Sequence, residues 1–162
     1  MDAKDRAIVV LLEQDARMGY AEIGTRVGLA ASSVHDRVRK LEKAGVIAGY
    51  RAEVDMEAVG LPITAIVSLA LRPSSPTDIP SRVAEFPLVE SCYSVAGDNS
   101  YALVVRAPST RALEELLDAL RGKLEVVTRA TIVLSTPFER RPMVASGVAE
   151  EESATARTNG AD

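Results

Sequence analysis

Residues 20–47 read YAEIGTRVGLAASSVHDRVRKLEKAGVI, and this stretch decides the fold of the N-terminal third of the chain. Ile23 and Val27 stand four apart, Gly28 supplies a turn and Leu29 points inward, which predicts a short helix that ends abruptly. Val34, Val38 and Leu41 then recur at spacings of four and three, the buried stripe of a second helix with a 3.6-residue period. The opposite face carries Ser32, His35, Asp36, Arg39 and Lys43, with Ser33 at its front and Arg37 and Lys40 on its flanks. Two helices joined by a tight turn form a helix-turn-helix element, whose second helix reads base edges with short polar residues and holds bases or phosphates with arginine and lysine. The same pattern also describes a solvated amphipathic helix, so the remainder of the chain has to decide between the two.

Charge placement favours the first reading. The chain of 162 residues carries a net charge of −4, too acidic for a nonspecific nucleic-acid coat. Residues 1–55 are neutral, with nine Lys and Arg against nine Asp and Glu, so the deficit lies downstream. Within 31–44, Arg37, Arg39, Lys40 and Lys43 outnumber Asp36 and Glu42, a local basic face on a neutral domain that suits sequence-selective binding. Cys92, the single cysteine, excludes an intrachain disulfide and is expected as a small buried strand residue. The N-terminus resembles no signal peptide and the longest apolar run, Ala65–Leu71, is too short to span a bilayer, so a cytoplasmic protein with no membrane partner is expected.

Residues 2–17 predict a helix with Ile8, Leu11 and Leu12 inward and Asp2 and Asp5 near its positive end, the third helix needed to close a small core. Gly19 stands at the start of the second helix. Ala30 and Ala31 give the third no side-chain cap, so Ser32 or Ser33, with Asp36 three residues after Ser33, is expected to supply it. After Gly45 the alternation in IAGYRAEVD predicts an extended strand, wing and hinge together.

From Pro62 the pattern changes. ITAIVSLALR predicts a strand, residues 78–85 a short helix stopped by Pro87, and VESCYSVA and YALVVRA two strands around a four-residue loop, residues 97–100. Residues 110–121 form a helix with Leu113, Leu116, Leu117 and Leu120 on one stripe and Gly122 in the stopping position, and VVTRATIVLS is the last strand. The order βαββαβ matches a ferredoxin-like sheet of four antiparallel strands with both helices on one face. Strand residues fall on two partly apolar faces: Ile63, Ala65, Val67, Leu69 and Leu71 oppose Ile66 and Ala70, while Val126, Ala130, Ile132 and Leu134 oppose Val127 and Val133. The open sheet face then needs a second layer, which dimerisation supplies. Beyond Thr136 the chain runs into a polar tail ending EEESATARTNGAD, expected to be disordered after about Val144.

The expected class is therefore α+β: a winged helix-turn-helix DNA-binding domain over 1–50, a hinge strand and linker over 51–61, a ferredoxin-like effector-binding and oligomerisation domain over 62–139, and a tail over 140–162. RVRKLEKAGVIAGY in the second helix of the DNA-reading pair, followed by CYSVAGDNSYALV at the hairpin of a βαββαβ domain, resembles the leucine-responsive/AsnC family of transcription regulators, the feast/famine regulators. The resemblance runs from about Ala3 to Glu139. It implies dimers, often assembled into tetramers or octamers, that bind promoter DNA and respond to amino acids or related metabolites. Gly97, Asp98 and Tyr101 match the family's GD-x-D-Y hairpin, whose loop, here with Asn99 and Ser100, borders an effector site between neighbouring dimers. Ser100 replaces the second aspartate of that pattern. Of two polar residues that the family often shows in the final strand, Thr128 matches and Ala130 departs.

Asp98 then either anchors an effector's ammonium group or caps its own turn. If no effector binds, the chain is an effector-independent DNA-binding or architectural protein. Sirohaem decarboxylases are similar in architecture, but such chemistry calls for histidines, and His35, the chain's one histidine, lies on the DNA-reading helix. Metal-ligand spacings, a P-loop, a nucleophile elbow and a dinucleotide fingerprint are all missing from the sequence, so no catalytic, metal or cofactor site is expected.

Overall fold

The structure is a computed structural model that describes residues 1–139; the expected tail over 140–162 lies outside the described residues. The chain divides into two compact units, one formed around Met1–Ala52 and one of Glu53–Pro137.

The first unit is trihelical: α1 (Ala3–Gln14), α2 (Tyr20–Val27) and α3 (Ala31–Lys43). α1 begins where Asp2 accepts from the Asp5 backbone N–H while the Asp5 side chain accepts from the Asp2 backbone N–H, a reciprocal cap of the first turn. The core is Ile8, Leu12, Ile23, Val27, Val34 and Val38, with Leu11, Leu29 and Ile47 packed partly against it. Val9 is buried as well, a position that the expected stripe of α1 omitted.

Two expectations fail here. Neither Ser32 nor Ser33 caps α3; its N-cap is Ala30, without a side-chain bond, and both serines lie inside the helix with their side chains exposed. The wing is also missing: residues 47–55 form no strand within the described residues. Alternation marks a chain suited to extension, but a strand exists only against a neighbour's backbone. The four strands of the sheet pair only with one another, so this segment remains without a ladder.

The second unit is a single antiparallel sheet with two helices. Its elements are β1 (Ile63–Leu71), α4 (Ile79–Val83), β2 (Val89–Ser94), β3 (Tyr101–Ala107), α5 (Thr110–Leu124) and β4 (Val126–Ile132), in the sheet order β2-β3-β1-β4. Period-two alternation sends Ala65, Val67 and Leu69 of β1 and Leu103, Val105 and Ala107 of β3 to the helix side, where they meet Ile79, Val83, Leu113, Leu116, Leu120 and Leu124. Burying one such leucine or isoleucine contributes about 1.5–3 kcal/mol, so this layer holds the unit together.

Helix α5 does not stop at Gly122. It runs on to Leu124, which is fully buried, and the left-handed C-cap is Glu125 at φ 51°. Burial of one more leucine outweighs the glycine's preference for a terminus. On β4 only Val126 of the expected inward set is buried; Ala130 and Ile132 face the helix side but stay exposed, because β4 is an edge strand. Leu71 is exposed too. Cys92, expected to be buried, is an exposed residue of edge strand β2, although partial burial of its sulfur pushes the thiol's pKa up. Among the described residues, no helix is long and apolar enough to cross a membrane.

Candidate functional site

The turn between α2 and α3 is built by two glycines. Gly28 takes the left-handed conformation at φ 67°, its N–H bonded to the Gly24 carbonyl, and the Leu29 N–H donates to the same oxygen at 2.9 Å. Gly24 is required for a different reason. A Cβ at this position would lie 2.5 Å from the Leu29 carbonyl oxygen, far inside carbon–oxygen contact distance. Gly28 was legible as the turn residue, but Gly24 was missed, because a glycine inside a helix carries no periodic signal. Lys4 donates its Nζ to the Val27 carbonyl, fastening α1 onto the end of α2.

This turn presents α3. Val34, Val38 and Leu41 are buried, while Ser32, Ser33, His35, Asp36, Arg39, Lys40 and Lys43 are exposed. Ser32, His35 or Asp36, Arg39 and Lys43 follow one another at three or four residues, so their side chains form one exposed stripe.

Arg37 is placed differently. Its Nη1 donates to Asp2 Oδ2 at 2.6 Å and to Asp5 Oδ1 at 2.7 Å, and the side chain is about two-thirds covered. The guanidinium locks α3 to the capped start of α1. The Arg37 hydrogen bond, helped by the Asp5 backbone N–H, holds the Asp2 carboxyl below its ordinary value, and the two carboxylates push the Arg37 pKa up. A cation held by two carboxylates has less charge to offer a phosphate.

Two tyrosines close the edges of this unit. Tyr20, the first residue of α2, meets the His35 ring edge-on at a centroid distance of 5.6 Å. Tyr50 donates its hydroxyl to Glu42 Oε1 at 2.9 Å; burial, and then that carboxylate, push its phenol up to about 12.

In the sheet unit the β2–β3 loop is closed by the Val95 N–H donating to the Ser100 carbonyl and tied to β1 by the Ser100 N–H donating to the Leu69 carbonyl at 2.8 Å. Gly97 has φ 131°, which favours glycine. Asp98 is exposed and accepts no hydrogen bond from its own turn, so the turn-capping alternative has no bond behind it. Asn99, Ser100 and Tyr101 are half-buried. Leu69 pairs with Tyr101 on one side and Thr128 on the other, which sets both in one row on the helix side of the sheet, two strand spacings or about 10 Å apart. Thr128 Oγ1 accepts from Arg121 Nε at 2.7 Å, and Arg121 also donates to Asp118. The Thr128 hydroxyl proton is left to donate elsewhere.

Among the described residues no cluster of three or more His, Cys, Asp or Glu side chains could hold a metal ion.

Residues 1–42 match the AsnC-type helix-turn-helix domain and residues 64–143 the Lrp/AsnC ligand binding domain. The HTH-type transcriptional regulator LrpA of Mycobacterium tuberculosis is 47% identical over 142 residues, covering 87% of this chain and 95% of its own. LrpC of Bacillus subtilis is 33% identical over 79% of this chain and 89% of its own. A solved feast or famine regulatory protein from M. tuberculosis, complexed with L-methionine, superposes with a TM-score of 0.84 at 46% identity, covering 88% of this chain and 98% of that one. A glycine-built turn, an exposed basic stripe on α3 and a βαββαβ unit thus coincide with both domain matches along nearly the whole described chain, and the protein belongs to the Lrp/AsnC family of helix-turn-helix transcription regulators.

Proposed function

We propose that this regulator reads its operator with the outer stripe of α3. In this reading Ser32, Ser33, His35, Asp36 and Arg39 face base edges, Lys40 and Lys43 hold phosphates, and Arg37 braces the helix instead of touching DNA. The carrying observation is the division of α3 into a buried inner stripe and an exposed basic outer one. The test is a mobility-shift assay at fixed salt on Arg39→Ala. A base contact by Arg39 makes specific binding weaker by about 1–3 kcal/mol with the fold intact, whereas unchanged affinity removes Arg39 from the reading set.

The partners in this reading are double-stranded promoter DNA, a small-molecule effector and further copies of the same chain. Dimers form through the open sheet face and place two α3 helices on half-sites about one helical turn apart; they assemble further into tetramers or octamers. The protein works in the cytoplasm.

The effector is an amino acid or a close relative, held by the Gly97–Tyr101 loop with Asp98 as the acceptor for an ammonium group and Thr128 as a polar neighbour. The free Asp98 carboxylate and the shared row of Tyr101 and Thr128 support this, as does the L-methionine bound to a similar protein. Ser100 in place of a second carboxylate weakens the hold on a cation and leaves Asp98 as the anchor. Thermal-shift titration with L-methionine and other amino acids, repeated on Asp98→Ala, checks it. The expected result is stabilisation of the parent chain that disappears in the variant; equal stabilisation of both means that Asp98 is not the anchor.

A further inference from the structure

The chain's one histidine does not stand alone on the reading helix. Tyr20 and His35 come from different helices and meet with their ring planes at 66°. Both face outward: Tyr20 is 38% exposed and the His35 side chain 55%. An exposed imidazole on a helix ordinarily exchanges among several rotamers. An edge-to-face contact with a ring on a second helix restricts that freedom, and the helix that carries Tyr20 is anchored by its buried Ile23 and Val27.

The other groups around His35 are few. Asp36 on the same helix places Oδ1 at 3.5 Å from Nδ1, and Ser32 and Arg39 lie one turn before and after. From α2 the facing group is Tyr20. The acidic residues Asp2 and Asp5 of α1 are engaged by Arg37 on the other flank of α3, and Glu42 is engaged by Tyr50. A ring held in place between a serine and an arginine, on the stripe assigned above to DNA, is a preorganised donor.

Resting on that assignment, we propose that Tyr20 is a positioning residue that holds the His35 imidazole toward a base edge, and that the pair makes operator binding proton-linked. Guanine N7 and O6 are acceptors, and an imidazolium, with both nitrogens protonated, always offers them a donor. The field of the DNA polyanion favours a bound proton on a ring pressed against it. The complex therefore holds more protons than the free protein, and affinity rises as pH falls. Histidine is the side chain whose charge ordinarily changes between pH 5 and 8, which sets the window.

The experiment measures affinity of the full chain for its own upstream DNA by fluorescence anisotropy at pH 6 and pH 8, with salt held constant. The parent chain is expected to bind about tenfold more tightly at the lower pH. His35→Gln, which keeps a polar side chain that does not titrate, abolishes this difference. Tyr20→Phe keeps the ring contact and the full difference; Tyr20→Ala loses most of it, and Tyr20→Ala combined with His35→Gln binds no worse than His35→Gln. Thermal melting of each variant at both pH values separates misfolding from lost positioning, since a folding defect weakens binding equally at the two pH values. A pH difference that survives in His35→Gln, or Tyr20→Ala with the parent profile or an equal loss at both pH values, overturns the proposal. If Arg39→Ala weakens binding while the parent chain shows no pH difference, the proton linkage falls and the reading of α3 stands. If the parent chain does not bind specifically at all, both fall.

Discussion

At the scale of single residues, α3 shows how one side chain can be engaged by partners that its own segment does not name. Arg37 sits in the most basic run of the sequence and looked like a DNA contact, yet Asp2 and Asp5, more than thirty residues away, hold its guanidinium. Periodicity ranks residues by face but cannot say which charge faces a charge on another helix. Gly24 is illegible for the same reason, since the Leu29 carbonyl that forbids a Cβ comes close only once the turn is made. The Arg37 clamp has a pH signature with a definite sign. Asp2 is held below its ordinary value, so its contribution to stability is complete above the usual carboxylate range and is lost as pH falls through the lowered folded value. Arginine stays charged throughout. Asp2→Asn is therefore expected to lower stability at neutral pH and to flatten its decline below about pH 4, as followed by denaturant midpoints across a pH series.

Elements were legible wherever one face is buried against another layer. β1 and β3 alternate in sequence because each second residue meets the helices, and the leucine stripe of α5 lies where its period placed it. The strand expected over residues 47–55 shows the limit of that reasoning, because alternation states a preference for extension while pairing depends on a partner that the sequence does not name. The end of α5 fails for a second reason. Gly122 is an ordinary stopping signal, overridden here by Leu124, which is buried only if the helix continues. Gly122 therefore sits inside a helix, with nothing within 4 Å of a Cβ added there. Gly122→Ala is expected to raise stability by about 0.5–1 kcal/mol, read as a higher urea midpoint, since alanine loses less backbone entropy and meets no obstacle. A fall in the midpoint would show that α5 gives up its last turn more readily than its buried leucine implies.

At the scale of the whole molecule, the two units carry separate tasks, and the sheet unit leaves one broad surface without cover. Ile66 is 47%, Tyr93 56% and Val127 50% exposed. The strand registers place these three with Ala70, Ala102 and Val104 on the sheet face away from the helices. Apolar side chains gathered on one face of an open sheet fit a second copy of the chain. The full chain is expected to sediment as a dimer or larger at micromolar concentration, and Ile66→Asp to shift it toward monomer because a carboxylate is costly to bury at such an interface. A parent chain that sediments as a stable monomer would exclude dimerisation through this face. The fold class, the helix pair around Gly28 and the β2–β3 hairpin could all be taken from the sequence, because each is a local pattern. Which atoms of those patterns are already engaged could not.

The chain has no tryptophan and four tyrosines, which fall as Tyr20 and Tyr50 in the helical unit and Tyr93 and Tyr101 in the sheet unit. Excited at the red edge of protein absorption, the parent chain is therefore optically silent, and one introduced indole becomes the sole emitter. Tyr93→Trp puts that emitter on the exposed sheet face, where a blue shift on raising concentration would report one copy covering another. Tyr20→Trp puts it against His35, where quenching on adding DNA would report the reading helix alone. One protein with two single-site reporters can thus be watched assembling and docking in separate experiments, with no external dye.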